Sequence, residues 1–262
     1  MKKITIKEIL KKKSKVPIVC LAAYTKNIAE VIDKYCDIIL VGDSVGMVLY
    51  GMKSTKQVTI ETMLMHGRTV KNATKRSLVV IDMPYKSYTN KFIAYKNAKK
   101  FIKKTKCDAV KLEGGKKIAG TIKYLVKKGI PVMGHVGLLP QHSNSFKLKG
   151  KNLTEQKQIL QDAIEVSKSG VFAIVVECVV ENLAKKITEY VSVPTIGIGA
   201  SKYCDGQILV VNDMLGLSNF SARFVKRYSN LNKIINKGIK KYSDDVKLRR
   251  FPSSKHVYKF YN

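Results

Sequence analysis

Charged residues follow or interrupt three short apolar runs, and their types suit the binding of a cation and an anion. Asp43 and Asp82 each follow such a run, and Lys111 and Glu113 alternate with apolar residues in a third. The runs have the length and β-branched content of buried strands. If these strands are parallel in one closed sheet, their C-terminal ends meet on one face. Carboxylates suit a hard divalent cation such as Mg²⁺, and the lysine suits an anionic substrate, so the sequence predicts a metal-assisted enzyme.

Each candidate also has a simpler interpretation. Either aspartate alone could cap a turn, but together, at equivalent strand ends, they favour a shared metal. Lys111 and Glu113 could form an exposed ion pair, which suits an antiparallel edge strand better than a buried parallel one. His135 follows an apolar run, where a hydrogen-bonded structural role is the commoner one. Glu177 closes another apolar run, where it could cap a turn or serve as a general base.

Apolar runs recur along the chain with helix-like segments between them. Because parallel strands need crossover connections, this alternation predicts a parallel sheet, and eight strands favour a closed barrel over an open doubly wound sheet. The predicted strands are 18–23, 38–41, 78–81, 109–112, 131–134, 172–176, 194–198 and 208–211. The predicted helices are 28–35, 60–73, 92–105, 118–128, 153–169, 181–190 and 222–242.

The fold expected from this pattern is α/β, a single-domain (β/α)8 TIM barrel spanning residues 1–262. About 250 residues is the typical size of such a barrel, and the chain has 262 with no Pro/Ser-rich linker. Thr5 and Glu8 have the spacing of a capping box, which predicts a short N-terminal helix. A helix and an aperiodic tail are expected at the C-terminal end.

Net charge is the most unusual bulk property, at +30 from 49 basic and 19 acidic residues. Lysines supply 43 of the basic residues and arginines 6, and they are scattered through almost every predicted helix. Since arginine reads phosphate and guanine better, we interpret the charge as a solvated surface and expect no specific nucleic acid partner. Five widely spaced cysteines, the lack of a signal peptide and the lack of a long apolar run predict a cytoplasmic protein without membrane contact.

Several motifs together carry a family resemblance, in order from about Thr5 to His256. They are Gly42-Asp43-Ser44-Val45-Gly46-Met47, Asp82-Met83-Pro84, 110–115, Gly134-His135-Val136-Gly137-Leu138, Pro140-Gln141, 194–200 and Cys204-Asp205-Gly206-Gln207. The chain resembles the ketopantoate (3-methyl-2-oxobutanoate) hydroxymethyltransferase family, whose fold is a (β/α)8 barrel.

The resemblance implies a reaction and its site. The substrate would be 3-methyl-2-oxobutanoate, which receives a one-carbon unit from 5,10-methylenetetrahydrofolate to give 2-dehydropantoate, on the route to pantothenate and coenzyme A. Asp43 and Asp82 match direct Mg²⁺ ligands, one ion per subunit, with Glu113 near the metal through a water molecule. Ser44, Asp43, Asp82 and Lys111 match substrate-binding positions. Glu177 matches the catalytic base, with His135 as an accessory residue.

The resemblance also implies a homo-oligomer, a decamer, and it is not perfect. Thr25, Leu139 and Ser201 depart from the family pattern, but none is a proposed ligand or base. Three other hypotheses stay open on the sequence alone. They are a metal–enolate barrel lyase or mutase acting on 2-oxo acids, Schiff-base aldol chemistry at Lys111, and a basic nucleic-acid-binding protein.

Overall fold

The computed structural model describes residues 2–143, 145–218 and 220–258. Their contacts divide the chain into two compact units, one ending at Val211 and the other beginning at Asn212. The first unit contains the complete sheet. The expectation of one domain over 1–262 stays a prediction. Among the described residues, no helix has the length and apolar character needed to cross a membrane.

Eight parallel strands form one closed barrel in the order in which they occur along the chain. They are β1 (Ile18–Ala22), β2 (Ile38–Val41), β3 (Leu78–Asp82), β4 (Ala109–Lys111), β5 (Val132–Gly137), β6 (Ala173–Glu177), β7 (Thr195–Ile198) and β8 (Gly206–Val210). The first and last strands close the barrel, with Ile18 opposite Gly206 and Ala22 opposite Val210. The predicted (β/α)8 barrel is confirmed.

Ten α-helices lie in the described part of the chain. They are α1 (Ile6–Lys11), α2 (Lys26–Ile32), α3 (Val45–Leu49), α4 (Ile60–Ala73), α5 (Lys91–Thr105), α6 (Lys116–Lys127), α7 (Leu153–Lys168), α8 (Glu181–Tyr190), α9 (Val211–Met214) and α10 (Leu231–Lys247). Short 3₁₀ turns occupy Thr55–Gln57, Pro140–His142 and Ser254–His256.

Side-chain caps set the start of several helices. The predicted capping box is present, since Thr5 accepts from the amide of Glu8 while Glu8 accepts from the amide of Thr5. Asn90 accepts from the second and third amides of α5, and Asn152 accepts from the third amide of α7, that of Glu155. Each cap satisfies backbone donors that a helix end leaves without an intrahelical partner.

The barrel interior is filled by alternate residues of the strands. Ile18, Cys20 and Ala22 of β1 belong to this core, as do Leu78 and Val80 of β3. Residues between them point to the surrounding helices, so both faces are apolar, as expected for a buried parallel sheet. This core supports the C-terminal ends of the strands, where loops and charged side chains begin.

Three predictions of local structure were wrong. The helix expected over 222–242 begins only at Leu231, because the Asn230 side chain caps the amide of Lys233 and fixes the start there. No helix was predicted between the strand over 38–41 and the helix over 60–73, but α3 lies there. The strand expected to end at Gly134 continues to Gly137, so His135 lies within β5 rather than after it.

Candidate active site

Strand alternation explains why charged side chains meet at the mouth of the barrel. Val80 and Ala109 belong to the interior core, and Asp82 and Lys111 lie two positions later on the same strands. Side chains two residues apart share a face of the strand, so both project inward at the C-terminal end. Two further pairs have the same spacing: Met133 with His135, and Val175 with Glu177.

Asp43, Asp82 and Lys111 form the centre of the pocket. The ammonium of Lys111 donates to Asp82 Oδ1 at 2.9 Å, and the amide of Asp43 donates to Asp82 Oδ2 at 3.1 Å. All three residues are at least 94% buried. A Cβ at Gly42 would lie 2.9 Å from Ser44 Oγ and 3.5 Å from Asp82 Oδ2, so glycine leaves room for the side chains of Ser44 and Asp82.

Burial and charge shift the titration of this centre. Burial, followed by repulsion from Asp82, raises the pKa of Asp43 to about 7. Burial alone would lower the pKa of Lys111, but the charges of Asp82, Glu113 and Asp43 outweigh it and raise that pKa. Lys111 is therefore a cation at neutral pH, while Asp43 is only partly ionised there, and added positive charge nearby would favour its ionised form.

Gln141 joins three loops at this centre. Its side-chain amide donates to Asp43 Oδ2 at 2.7 Å and to the carbonyl of Met83 at 3.0 Å, and its backbone amide donates to Glu113 Oε1 at 2.5 Å. The hydroxyl of Tyr88 donates to Gln141 Oε1 at 2.5 Å. These bonds fix the amide orientation, because the oxygen faces a hydroxyl and the nitrogen faces two acceptors.

His135 lies between two carboxylates. Its Nε2 is 3.3 Å from Glu177 Oε2, and its Nδ1 is 3.6 Å from Glu113 Oε2. Within the described part of the chain, neither ring nitrogen makes a hydrogen bond of good geometry. Burial, with a contribution from Lys111, lowers the pKa of His135, and the attraction of Glu177 opposes this shift. His135 is therefore close to two carboxylates, and its role stays a prediction.

Glu177 differs from the other carboxylates in its access to solvent. Its side chain is 16% exposed, against 2% for Glu113 and 5% for Asp82. Glu177 ends β6 beside Gly137, which has a φ of +95°. A Cβ at Gly137 would lie 2.4 Å from the carbonyl oxygen of Glu177, so a larger residue is excluded there. The close approach of these two strands holds the Glu177 backbone at the rim of the pocket.

The donor set fits a divalent cation. Four carboxylates, those of Asp43, Asp82, Glu113 and Glu177, lie at the mouth of the barrel with the ammonium of Lys111. Burial and repulsion between the acidic groups raise the pKa of Asp43 and of Glu113. Among the described residues, no group of three or more His, Cys, Asp or Glu side chains is arranged as a metal centre. An ion here would take the two aspartates and fill its other positions with water and substrate, which is the usual preference of Mg²⁺.

Ser44 and three unpredicted residues complete the pocket. Ser44 lies at its edge, with its hydroxyl 2.7 Å from the hydroxyl of Tyr24. Tyr24, Tyr88 and Gln141 were not among the predicted site residues. Gln141 stands in one of the quoted motifs, next to Pro140, which is the only sequence signal that could have singled it out. The two tyrosines carry no such signal.

Comparison with known proteins identifies the family. The family model described as ketopantoate hydroxymethyltransferase matches residues 3–254. The chain belongs to the ketopantoate hydroxymethyltransferase family. It is 54% identical to the 3-methyl-2-oxobutanoate hydroxymethyltransferase of Pelagibacter ubique over 97% of this chain and 98% of that protein. It is 51% identical to the enzyme of the same name from Bartonella henselae, over 99% of this chain and 96% of that protein. The predicted family and the predicted hydroxymethyltransferase class are confirmed.

Solved structures show the same barrel in distant proteins. A phosphonopyruvate hydrolase, crystallised with oxalate and Mg²⁺, matches with a TM-score of 0.63 at 11% identity over 97% of this chain and 93% of that one. A 2,3-dimethylmalate lyase of the PEP mutase/isocitrate lyase superfamily matches with a TM-score of 0.59 at 12% identity, over 97% of this chain and 89% of that one. At these identities the likeness shows a shared fold.

The structure brings the predicted site residues together in one pocket. Asp43, Asp82, Lys111, Glu113, His135 and Glu177 all lie at the C-terminal mouth of the barrel, and Ser44 lies at its edge. Their individual roles stay predictions. Thr25 begins α2 without a side-chain cap bond, Leu139 precedes the turn Pro140–His142, and the hydroxyl of Ser201 accepts from the amide of Tyr203. In the described part of the chain, none of these three residues forms a hydrogen bond with a predicted site residue.

Proposed function

We propose that this pocket removes a proton from a 2-oxo acid and directs the resulting carbon nucleophile to a one-carbon donor, 5,10-methylenetetrahydrofolate. The family and its relatives make the reaction a hydroxymethyl transfer to 3-methyl-2-oxobutanoate, as the first step towards pantothenate. The observation that carries the mechanism is the placement of a solvent-accessible carboxylate, Glu177, over a buried cluster of two aspartates and a protonated lysine.

Glu177 is the base in this mechanism. The proton at C3 of the substrate is acidic only while the negative charge left behind can move to the adjacent carbonyl oxygen. Glu177 accepts that proton from the open side of the pocket. His135, 3.3 Å from Glu177 Oε2, orients the carboxylate and is the accessory residue.

Lys111 binds and neutralises the substrate anion. Its raised pKa keeps it charged at neutral pH, so it stabilises negative charge as it develops on the substrate oxygens. A charged lysine is a poor amine nucleophile, which argues against Schiff-base chemistry at this position. Ser44, at the edge of the pocket, is placed to donate its hydroxyl to a substrate oxygen.

Asp43 and Asp82 would hold Mg²⁺, with Glu113 reaching it through water. When bound, the ion supplies a Lewis acid that withdraws charge from the oxygens of a 2-oxo acid. The raised pKa of Asp43 supports this assignment. Burial and the charge of Asp82 disfavour the ionised form of Asp43, and a bound cation would offset both effects. A lyase or mutase acting on 2-oxo acids would also use a divalent cation held by carboxylates, but it uses no folate. Dependence of product formation on methylenetetrahydrofolate therefore separates these two candidate functions.

Proton exchange tests the base directly. The parent enzyme with Mg²⁺ and 3-methyl-2-oxobutanoate in deuterated water is expected to replace the C3 proton by deuterium, followed by NMR. Glu177→Gln keeps the shape of the side chain and removes its basicity, so exchange should slow on the order of 100-fold or more while substrate still binds. Glu181→Gln, on the exposed first turn of α8, is the matched control and should exchange at the parent rate. If the Glu177→Gln variant exchanges the C3 proton as fast as the parent enzyme, Glu177 is not the base, and His135 becomes the next candidate.

The family resemblance implies the assembly, and the sequence features described above favour the location and the lack of a specific nucleic acid partner. We propose a cytoplasmic homo-oligomer, a decamer, without a specific nucleic acid partner. Sedimentation velocity of the purified chain tests the subunit number, and a sedimenting monomer would contradict it.

A further inference from the structure

A basic and aromatic cluster lies beside the pocket, outside the groups used above. We call it the rim cluster and define it as Lys56, Tyr85, Lys86, Lys117 and His142. Its members lie in segments that follow β2, β3, β4 and β5, so all belong to the C-terminal side of the barrel. They also adjoin the pocket in sequence.

The connections to the pocket are short. Tyr85 lies three residues after Asp82, Lys117 four residues after Glu113, and His142 directly after Gln141. Since both backbone and side chain of Gln141 are bonded within the pocket, the turn that carries His142 is held at its edge. A molecule bound beside Asp43 and Glu113, which Gln141 contacts, therefore lies next to the turn that carries His142.

The rim cluster combines aromatic faces with cations. Tyr85 and His142 make an edge-to-face pair with ring centroids 5.8 Å apart and an interplanar angle of 78°. The ammonium groups of Lys56 and Lys86 lie 5.9 Å and 5.6 Å from the centroid of the Tyr85 ring. Tyr85 is half-buried, while Lys86, Lys117 and His142 are exposed. An aromatic ring and several carboxylates of one ligand would find complementary partners here.

The charges of Lys86 and Lys117 are not offset by carboxylates in the described part of the chain. Within residues 2–143, 145–218 and 220–258, neither Lys86 nor Lys117 forms an ion pair with an acidic side chain. Partial burial, then the charges of Lys56 and Lys117, lower the pKa of His142. The field at the rim is therefore positive, and His142 is a neutral aromatic ring at neutral pH.

We propose that the rim cluster is the subsite for the p-aminobenzoyl-glutamate end of the folate co-substrate. The benzoyl ring packs on Tyr85 and His142, and the glutamate carboxylates, including those of a polyglutamate tail, pair with the three lysines. This inference rests on the proposed function. The small aliphatic 2-oxo acid is already matched by Lys111, whereas the folate is the reactant that joins an aromatic ring to a chain of carboxylates. Its one-carbon unit bridges N5 of the pterin and N10, the nitrogen that bears the benzoyl ring, so the ring lies next to the reacting carbon and the glutamate tail lies beyond it.

Binding of the isolated tail tests the subsite without turnover. Calorimetry at low ionic strength should show that p-aminobenzoyl-triglutamate binds the parent more tightly than p-aminobenzoyl-glutamate does. The triple variant Lys56→Gln, Lys86→Gln, Lys117→Gln should weaken triglutamate binding by about tenfold, the loss expected on removing about three exposed charge pairs. Tyr85→Leu should weaken both ligands by a similar factor of about five, because the ring contact is common to them.

A lysine elsewhere on α6 provides the control. Lys127 is exposed in the last turn of α6, ten residues beyond Lys117, and Lys127→Gln removes one charge without touching the rim cluster. Its triglutamate affinity should equal that of the parent. Equal affinities of the parent and the triple variant would overturn the subsite. Tighter binding of inorganic tripolyphosphate than of the triglutamate would also overturn it and assign the rim to polyphosphates.

The proposed function fails in a different measurement. Exchange of the C3 proton of 3-methyl-2-oxobutanoate needs no folate, so the triple variant should exchange at the parent rate. Absence of exchange in the parent would count against the proposed reaction, whatever the tail measurement shows. Intact exchange with unchanged triglutamate binding would reject the rim subsite alone.

Discussion

Asp82 is bonded at both carboxylate oxygens, to the amide of Asp43 and to the ammonium of Lys111. The pair with Lys111 is buried, and a buried pair stabilises little because desolvation offsets its attraction. Its role is chemical: the two bonds fix the orientation of the Asp82 carboxylate at the place where a cation is needed. The neighbouring Asp43, which lacks a lysine of its own, has a raised pKa in the same environment.

Replacement of Asp82 tests the metal assignment. Asp82→Asn keeps the size of the side chain but removes its charge, so Mg²⁺ binding should weaken and turnover should fall on the order of 100-fold. Mg²⁺ titration by calorimetry and circular dichroism would separate lost binding from lost folding. Asp244→Asn, on the partly exposed α10, is the charge-matched control. Full activity of Asp82→Asn after exhaustive chelation would rule out the metal role.

The predicted and the unpredicted residues of the pocket differ in how they reach it. Lys111 and Glu113 could be found because the alternation of side chains along a strand places both on the same face. Strand alternation could not identify Gln141, because its bonds to Asp43 and Glu113 depend on the path of a loop and on a turn that begins at Pro140. Tyr88 is similar, since no local pattern relates it to residues fifty positions away.

At the scale of elements, Asp33 joins the end of α2 to the start of β3. Its carboxylate accepts from the amides of Lys75, Arg76 and Ser77 at 2.7–3.1 Å. Burial acts to raise the pKa of Asp33, but these bonds, led by that of Ser77, outweigh it and lower the pKa. The ionised form is thus the one that the fold prefers.

The pH dependence of this junction follows from the direction of the shift. Stability from ionised Asp33 is fully present above its unfolded pKa near 3.8 and is lost as pH falls through the lower folded value. Asp33→Asn should lower the free energy of unfolding by about 1–3 kcal/mol at pH 7, and the difference should narrow below pH 4. Urea unfolding of parent and variant at several pH values measures this. A difference that grows as pH falls would contradict the role of the charge.

Strands and helices were predicted well where burial and hydrophobic periodicity agree, and poorly where a capping residue sets the boundary of a helix. All eight strands were found because apolar runs of β-branched residues recur between helical segments. The helix α10 was placed nine residues too early, since periodicity alone did not show that Asn230 starts it. The short α3 was missed because five residues carry too little periodic signal.

At the scale of the whole molecule, the net charge of +30 opposes compaction. Raising NaCl from 10 mM to 150 mM shortens the screening length from about 30 Å to about 8 Å, so repulsion between dispersed lysines weakens. The Tm of the metal-free protein should therefore rise by a few degrees, as followed by differential scanning fluorimetry. KCl should act like NaCl, because screening depends on ionic strength. A Tm that falls over this range would show that favourable ion pairs dominate instead.

β1 and β8, which pair to close the barrel, are synthesised at widely separated times. The two strands that close the barrel are about 190 residues apart in sequence, with Ile18 opposite Gly206. At a synthesis rate of about 5–20 residues per second, the ribosome delivers β8 roughly 10–40 s after β1. Until then β1 has an unpaired backbone edge and an incomplete core behind it. The nascent chain therefore spends most of its synthesis as an open sheet, and its exposure to aggregation is set by translation rather than by the speed of folding itself.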